Sequence, residues 1–121
     1  MLLHSNIIIY SALPGENLLV SFLSEHKPYC SRISYLEALG YHRLQPYEKK
    51  YLDGFFKKIQ VIELGLKIIL EATKLRQKIN IASCDAIIAA TAILYGLNLV
   101  TNNEKDFKNI KGLKIINPLH Q

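Results

Sequence analysis

The sequence predicts an α/β domain: a mainly parallel β-sheet with helices on both faces. Three observations predict it. Short strand-like apolar runs alternate with helical ones along the whole chain. The run Ser83 to Tyr95 is rich in alanine (Ala86, Ala89, Ala90, Ala92), and so small a helix face packs closely on a sheet. The 121 residues suffice for one domain, 1–121, with a core that needs no staples, and no repeat, linker or low-complexity tract interrupts them.

Leu2-Leu3 is a short first strand that stops at His4. Ser5-Asn6 is a favourable N-cap pair, and Ile7 to Leu13 continues as a helix, although an isoleucine run also suits a strand. Pro14-Gly15 ends it, and Glu16 to His26 carries Leu18, Leu19, Phe22 and Leu23 at helical spacing. After Pro28, Tyr29 to Ile33 is a strand, and Ser34 caps a helix with Glu37 at the last position of a Ser-x-x-Glu capping box. Pro46 opens a helix to about Ile59, whose apolar face is Leu52, Phe55, Phe56 and Ile59. Val61 to Leu64 is a strand. Gly65 to Lys78 is a long amphipathic helix, and its Lys74, Arg76 and Lys78 suit the negative end of the macrodipole. Ser83 to Tyr95 is the last helix, stopped by Gly96. Asn98 to Thr101 and Leu113 to Ile116 are the closing strands, and Asn117-Pro118 ends the fold.

Hydrophobic residues make up 50% of the chain and charged ones 21%, the balance of a soluble globular protein. The net charge of +5 leans basic, which alone does not single out nucleic acid. Cys30 and Cys84 are read as free thiols, and the absence of CxxC or CxxH spacing argues against structural zinc. The first ten residues have no basic leader and no small-residue cleavage site, and no apolar run approaches the ~18 residues of a membrane span. A cytoplasmic protein is expected. His26, His42 and His120 have no acid or cysteine placed beside them and are read as surface residues. Tyr10, Tyr35, Tyr41, Tyr47, Tyr51 and Tyr95 are read as packing groups rather than base-stacking ones.

The chemistry concentrates in few places. Only three aspartates occur, and two of them, Asp85 and Asp106, stand at the mouths of adjacent elements of one α/β unit. Glu37 lies on another apolar helix. Ligands on parallel sheets collect beyond the carboxyl ends of the strands, and His4, Asp85 and the turn Thr101 to Asp106 all fall there. Three acids meeting in one place repel unless a cation joins them, so a divalent metal site is the first hypothesis. Against it, Glu37 is also explained by the capping box, and a glutamate that reaches back to the cap nitrogen is less free to hold a metal.

Four blocks in order, Leu2-Leu-His-Ser-Asn-Ile-Ile-Ile, Ser31-Arg-Ile-Ser-Tyr-Leu-Glu-Ala-Leu, Asp85-Ala-Ile-Ile-Ala-Ala-Thr-Ala and Leu99-Val-Thr-Asn-Asn-Glu-Lys-Asp-Phe, together with the terminal Leu113-Lys-Ile-Ile-Asn-Pro, resemble the PIN-domain proteins of the small VapC-type toxin group in bacterial type II toxin–antitoxin pairs. Each block alone is weak; their order and spacing across nearly the whole chain are specific. The resemblance implies a three-layer α/β/α fold and a ribonuclease that cuts RNA phosphodiesters with Mg²⁺ or Mn²⁺ held by clustered acids. Carried over by position, those acids are Glu37, Asp85 and Asp106, and Ser5, Asn6, Thr101 and Asn103 are the polar residues that orient them or the water. Lys105 and Lys108, from the series that flanks Asp106, are the candidates for contacts with the RNA backbone. The resemblance also implies a cognate antitoxin and a homodimer. The apolar stretches Ile7 to Leu23 and Tyr35 to Tyr41 offer the face for them, with a basic antitoxin side chain directed at Asp85.

One departure is large. The family pattern ends the first strand in Leu-Leu-Asp-Ser/Thr-Asn, and this chain has His4 where that aspartate, a metal ligand, stands. Imidazole is a poor ligand for Mg²⁺. Three readings follow. His4 inactivates a nuclease; or the protein is a non-catalytic RNA-binding or protein-interaction module on the same fold; or His4 is itself a working ligand or general base. His4 is expected at the rim of a pocket that holds the three acids.

Overall fold

The computed structural model describes residues 1–118; His120 therefore lies outside the described residues. Five strands form one sheet: β1 (Leu2–Leu3), β2 (Tyr29–Ser31), β3 (Gln60–Ile62), β4 (Leu99–Val100) and β5 (Ile115–Ile116). Their order is β3-β2-β1-β4-β5, and every pairing is parallel. Six helices connect them: α1 (Ser5–Ser11), α2 (Asn17–His26), α3 (Arg32–Leu39), α4 (Pro46–Lys58), α5 (Leu66–Lys78) and α6 (Ser83–Tyr95).

Two-residue strands suffice because side chains alternate across a sheet. Leu2 and Leu99 enter a core shared with α5 and α6. Their neighbours Leu3 and Val100 enter a second core with α1, α2, α3 and α4. All four are 0% exposed. The ladder also continues past the strands, since His4 N–H donates to Val100 O (2.9 Å) and Thr101 N–H to Ile116 O (3.0 Å). The result is the expected three-layer α/β/α arrangement. In α6 the alanines expected to permit close packing, Ala86, Ala89, Ala90 and Ala92, are all 0% exposed. Gly96 leaves that helix at φ 64°, and Leu97 N–H returns to Ala92 O at 2.9 Å.

The topology places the site. From β1 the chain builds outward to β2 and β3, then returns through α5 and α6 to β4 on the other side of β1. The direction of winding therefore reverses between β1 and β4, and a crevice opens at the carboxyl ends of those two strands. The residues that follow them are His4 and Thr101.

Several boundaries differ from the sequence expectation. The first helix starts at Ser5, with His4 as its N-cap residue, and ends at Ser11 rather than Leu13. The helix α3 starts at Arg32 and is capped by Ser31, whose Oγ accepts from Ile33 N–H at 3.2 Å. Ser34 is a buried residue inside it, so the expected box from Ser34 to Glu37 does not form; the box that does form joins Gln45 and Glu48 ahead of α4. Of the six tyrosines expected to pack, Tyr10, Tyr35, Tyr41, Tyr47 and Tyr95 are exposed and only Tyr51 is half-buried, its hydroxyl donating to Ser11 Oγ. His26 and His42 are exposed, as expected. No single helix among the described residues is long and apolar enough to cross a membrane.

Candidate functional site

His4 sits at the crevice, but not at its rim: it is 6% exposed. Because its extended backbone (φ −71°, ψ 146°) serves as the N-cap of α1 with no cap bond from its side chain, the ring is free to turn across the strand ends. Nε2 lies 3.0 Å from Asp85 Oδ1, and Nδ1 lies 2.9 Å from Thr101 Oγ1. The ring meets Phe107 edge-on, 4.9 Å between centroids at 82°. A carboxylate only accepts, so Nε2 carries the hydrogen. Thr101 Oγ1 already accepts Asn103 N–H at 3.0 Å. Its own hydrogen can be donated to Nδ1, so the arrangement with hydrogen on Nε2 leaves each of these groups paired.

The three carboxylates occupy separate settings, and Glu37 does not line the cleft that Asp85 and Asp106 share. Asp85 stands in the first turn of α6, where a negative charge suits the helix dipole. Glu37, on α3, accepts from Ser5 Oγ at 2.6 Å, and Ser5 Oγ lies 2.8 Å from Ser34 Oγ. Since the hydrogen of Ser5 goes to Glu37, Ser34 is the donor to Ser5, and the buried serines form a short chain that orients the glutamate. Asp106 ends a 3₁₀ turn (Glu104–Asp106), is exposed, and accepts from Asn103 Nδ2. Asp85 and Asp106 line one cleft of about 380 Å³, together with Asn80, Lys105 and Asn109. Lys108 is exposed outside that lining.

Sequence reasoning missed two residues. Cys84, half-buried, lies between two of the acids: burial first, then the charges of Glu37 and Asp85 and a hydrogen bond to Glu37, hold its thiol above the ordinary range. Its place in the second position of α6, one residue before Asp85, was the available signal. Asn102 accepts from Asn6 Nδ2 and ties the loop after β4 to α1, while Asn6 Oδ1 is buried without a partner among the described residues. The other cysteine, Cys30, is free and buried, as expected.

The arrangement tests the metal hypothesis through its donors. Mg²⁺ demands oxygen ligands at near-octahedral positions. Here the centre of the site holds an imidazole whose N–H points at Asp85, and each acid has a donor of its own within the chain. Among the described residues, no three His, Cys, Asp or Glu side chains are grouped to hold a metal ion. The residues of this chain as they stand do not fit a hard divalent cation.

A family model of the PIN domain matches residues 1–113. Ribonuclease VapC1 of Rickettsia felis is 51% identical over 41 residues, which make up 34% of this chain and 31% of that protein; the match thus spans under a third of the relative's length. Among solved structures, a toxin–antitoxin complex from Klebsiella pneumoniae is similar at 28% identity, with a TM-score of 0.78 over 97% of this chain and 96% of that one. VapBC2 from Rickettsia felis, bound to a DNA fragment from its promoter, is similar at 26% identity, with a TM-score of 0.84 over 96% of each chain.

Proposed function

The chain belongs to the PIN-domain family, and from that premise we propose that it is a VapC-type toxin of the ribonuclease class, a single domain over 1–121, disarmed at position 4. The observation that carries this is the cluster at the strand ends. Asp85 and Asp106 share a cleft beside Lys105, Glu37 and Asp85 both act on Cys84, and the position between Asp85 and Thr101 is filled by His4.

Hydrolysis of an RNA phosphodiester needs an attacking water with its proton drawn off and positive charge against the phosphate. In this chain Lys105 supplies positive charge at the cleft, with Lys108 further out, for contacts with the RNA backbone. Ser5 and Ser34 hold Glu37, and Asn103 holds Asp106, so the acids are oriented in advance. Asn6 and Asn102 fix the loop that carries Thr101 and Asn103. With an aspartate at position 4, Glu37, Asp85 and Asp106 are the residues that would hold Mg²⁺ or Mn²⁺, and such an ion offsets phosphate charge and acidifies a bound water. With His4 the hydrogen bond to Asp85 takes that place.

The partners follow the same reading: RNA as substrate, a cognate antitoxin as inhibitor, and a cytoplasmic setting. Part of the apolar face named for the antitoxin is interior, since Ile7 and Ile8 are 0% exposed. What remains outside is Ile9, Tyr10, Leu13, Leu18 and Val20. Beside it, Val20 and Leu23 line an apolar cleft of about 830 Å³ against α4, rimmed by Lys27, Lys50 and Lys58. Such a groove suits an amphipathic segment with acidic flanks. Tyr35, Leu36 and Tyr41 are also exposed and support a homodimer.

Growth tests this reading. Expression of the His4→Asp protein slows growth of the host cell, co-expression of an antitoxin relieves it, and a further Asp85→Asn change abolishes the effect. The unsubstituted protein leaves growth unaffected. A folded His4→Asp protein without effect on growth overturns the assignment.

A further inference from the structure

We propose that His4 is a tethered substitute for a cation: its Nε2–H, fixed from behind by Thr101, occupies the binding direction of Asp85, so that this chain keeps its acidic site folded without metal and takes up neither Mg²⁺ nor Mn²⁺ there. The inference rests on the family reading only for the statement that an aspartate usually stands at position 4.

Carboxylates brought near one another at strand ends repel, and something must supply positive potential or hydrogen bonds. Here each acid has its own donor. Asp85 accepts from His4 Nε2 at 3.0 Å, Glu37 from Ser5 Oγ at 2.6 Å, and Asp106 from Asn103 Nδ2. Two of these donors belong to one chain of bonds. Asn103 donates its backbone N–H to Thr101 Oγ1 and its side-chain N–H to Asp106, and Thr101 in turn bonds His4 Nδ1. Asp85 and Asp106 are thereby linked through His4, Thr101 and Asn103. The link is rigid. Thr101 is 0% exposed, His4 is 6% exposed, and Phe107, 1% exposed, closes the ring's flank. A cation at Asp85 Oδ1 would have to displace a buried ring with both nitrogens satisfied, leaving Thr101 Oγ1 without its acceptor.

The proposal fixes the sign of the coupling between positions 4 and 85. With His4, removing the charge of Asp85 weakens a charge-assisted bond and destabilises the protein. With aspartate at position 4, removing the same charge relieves repulsion and stabilises the metal-free protein. The helix dipole contributes equally in both backgrounds, so the opposite signs isolate the pair.

The test is Mn²⁺ titration calorimetry with thermal unfolding, on the unsubstituted protein and on the His4→Asp, Asp85→Asn and doubly changed proteins. The unsubstituted protein is expected to show no Mn²⁺ uptake, and its Tm to move by less than about 1 °C between chelator and about 1 mM Mn²⁺. The His4→Asp protein is expected to bind Mn²⁺ and gain several degrees. In chelator, Asp85→Asn lowers Tm in the first background and raises it in the second. Mn²⁺ binding by the unsubstituted protein within a few-fold of the His4→Asp protein overturns the proposal, as does a shift of the same sign in both backgrounds. The titration of the unsubstituted chain stands even if a variant fails to fold. A His4→Asp protein that binds Mn²⁺ but cuts no RNA supports the proposal that His4 substitutes for a cation and overturns the nuclease reading.

Discussion

Cys30 and Cys84 show how strongly surroundings set the chemistry of one side chain. Cys30, the middle residue of β2, is 0% exposed, and burial pushes its thiol up from 9.0 to about 12; Arg32 opposes this and Glu63 adds to it. The folded protein therefore holds the thiol proton more tightly than the unfolded chain does. The resulting stability is complete below about pH 9 and is lost as pH rises from there toward about 12. In urea unfolding, the Cys30→Ala protein is expected to lose less stability than the parent between about pH 8 and 11. Equal losses contradict the assignment. The Cys84 thiol is also held up, by burial and then by the neighbouring Glu37 and Asp85. Since the thiolate is the nucleophile, slow alkylation at neutral pH is expected there, and alkylation as fast as that of a free thiol counts against a place between the two acids.

At the level of elements, the cap of α3 decides how the glutamate is presented. Ser31 closes β2 and caps α3, and it is 0% exposed. Ser31→Ala is expected to cost about 0.5–2 kcal/mol in urea unfolding. Ser34→Ala, by contrast, removes the donor behind Ser5 and loosens Glu37 while leaving the cap in place. A Ser31→Ala protein as stable as the parent contradicts this division. The sequence pattern pointed to Ser34 because Ser-x-x-Glu also occurs there; the shift of the cap from Ser34 to Ser31 is invisible to periodicity, and the burial that redirects Ser34 toward Ser5 is a tertiary fact. Where local signals agreed, the elements were readable. The alanine-rich α6 runs from Ser83 to Tyr95 as expected and stops at Gly96, the residue best suited to positive φ. Asp85 was placed correctly for the same reason, being in the first turn of that helix. The role of His4 was not readable: its identity signalled a departure, but the partners Thr101 and Phe107 lie about a hundred residues away and meet it only through the β1–β4 pairing.

For the whole molecule, the reversal of winding between β1 and β4 gathers residues from α1, α3, α6 and the turn after β4 at one sheet end, and large apolar side chains stand exposed on α2, α3 and α5. Leu18 (90%), Leu66 (73%) and Leu36 (64%) are the most exposed large ones. Surfaces of this kind are expected to be covered in the working assembly. Light scattering at tens of micromolar, roughly where a modest interface still holds, is expected to give a dimer; a clean monomer counts against it. The central claim, that a nuclease scaffold is disarmed by one side chain, is tested most directly by the rate at which purified protein cuts a structured RNA with Mg²⁺ at neutral pH. Loss of one preorganised electrostatic group costs on the order of 10²–10³ in rate, so the His4→Asp protein is expected to cut at least about 10²-fold faster than the unsubstituted one. Rates within a few-fold of each other contradict the account and place the chemistry on His4 itself.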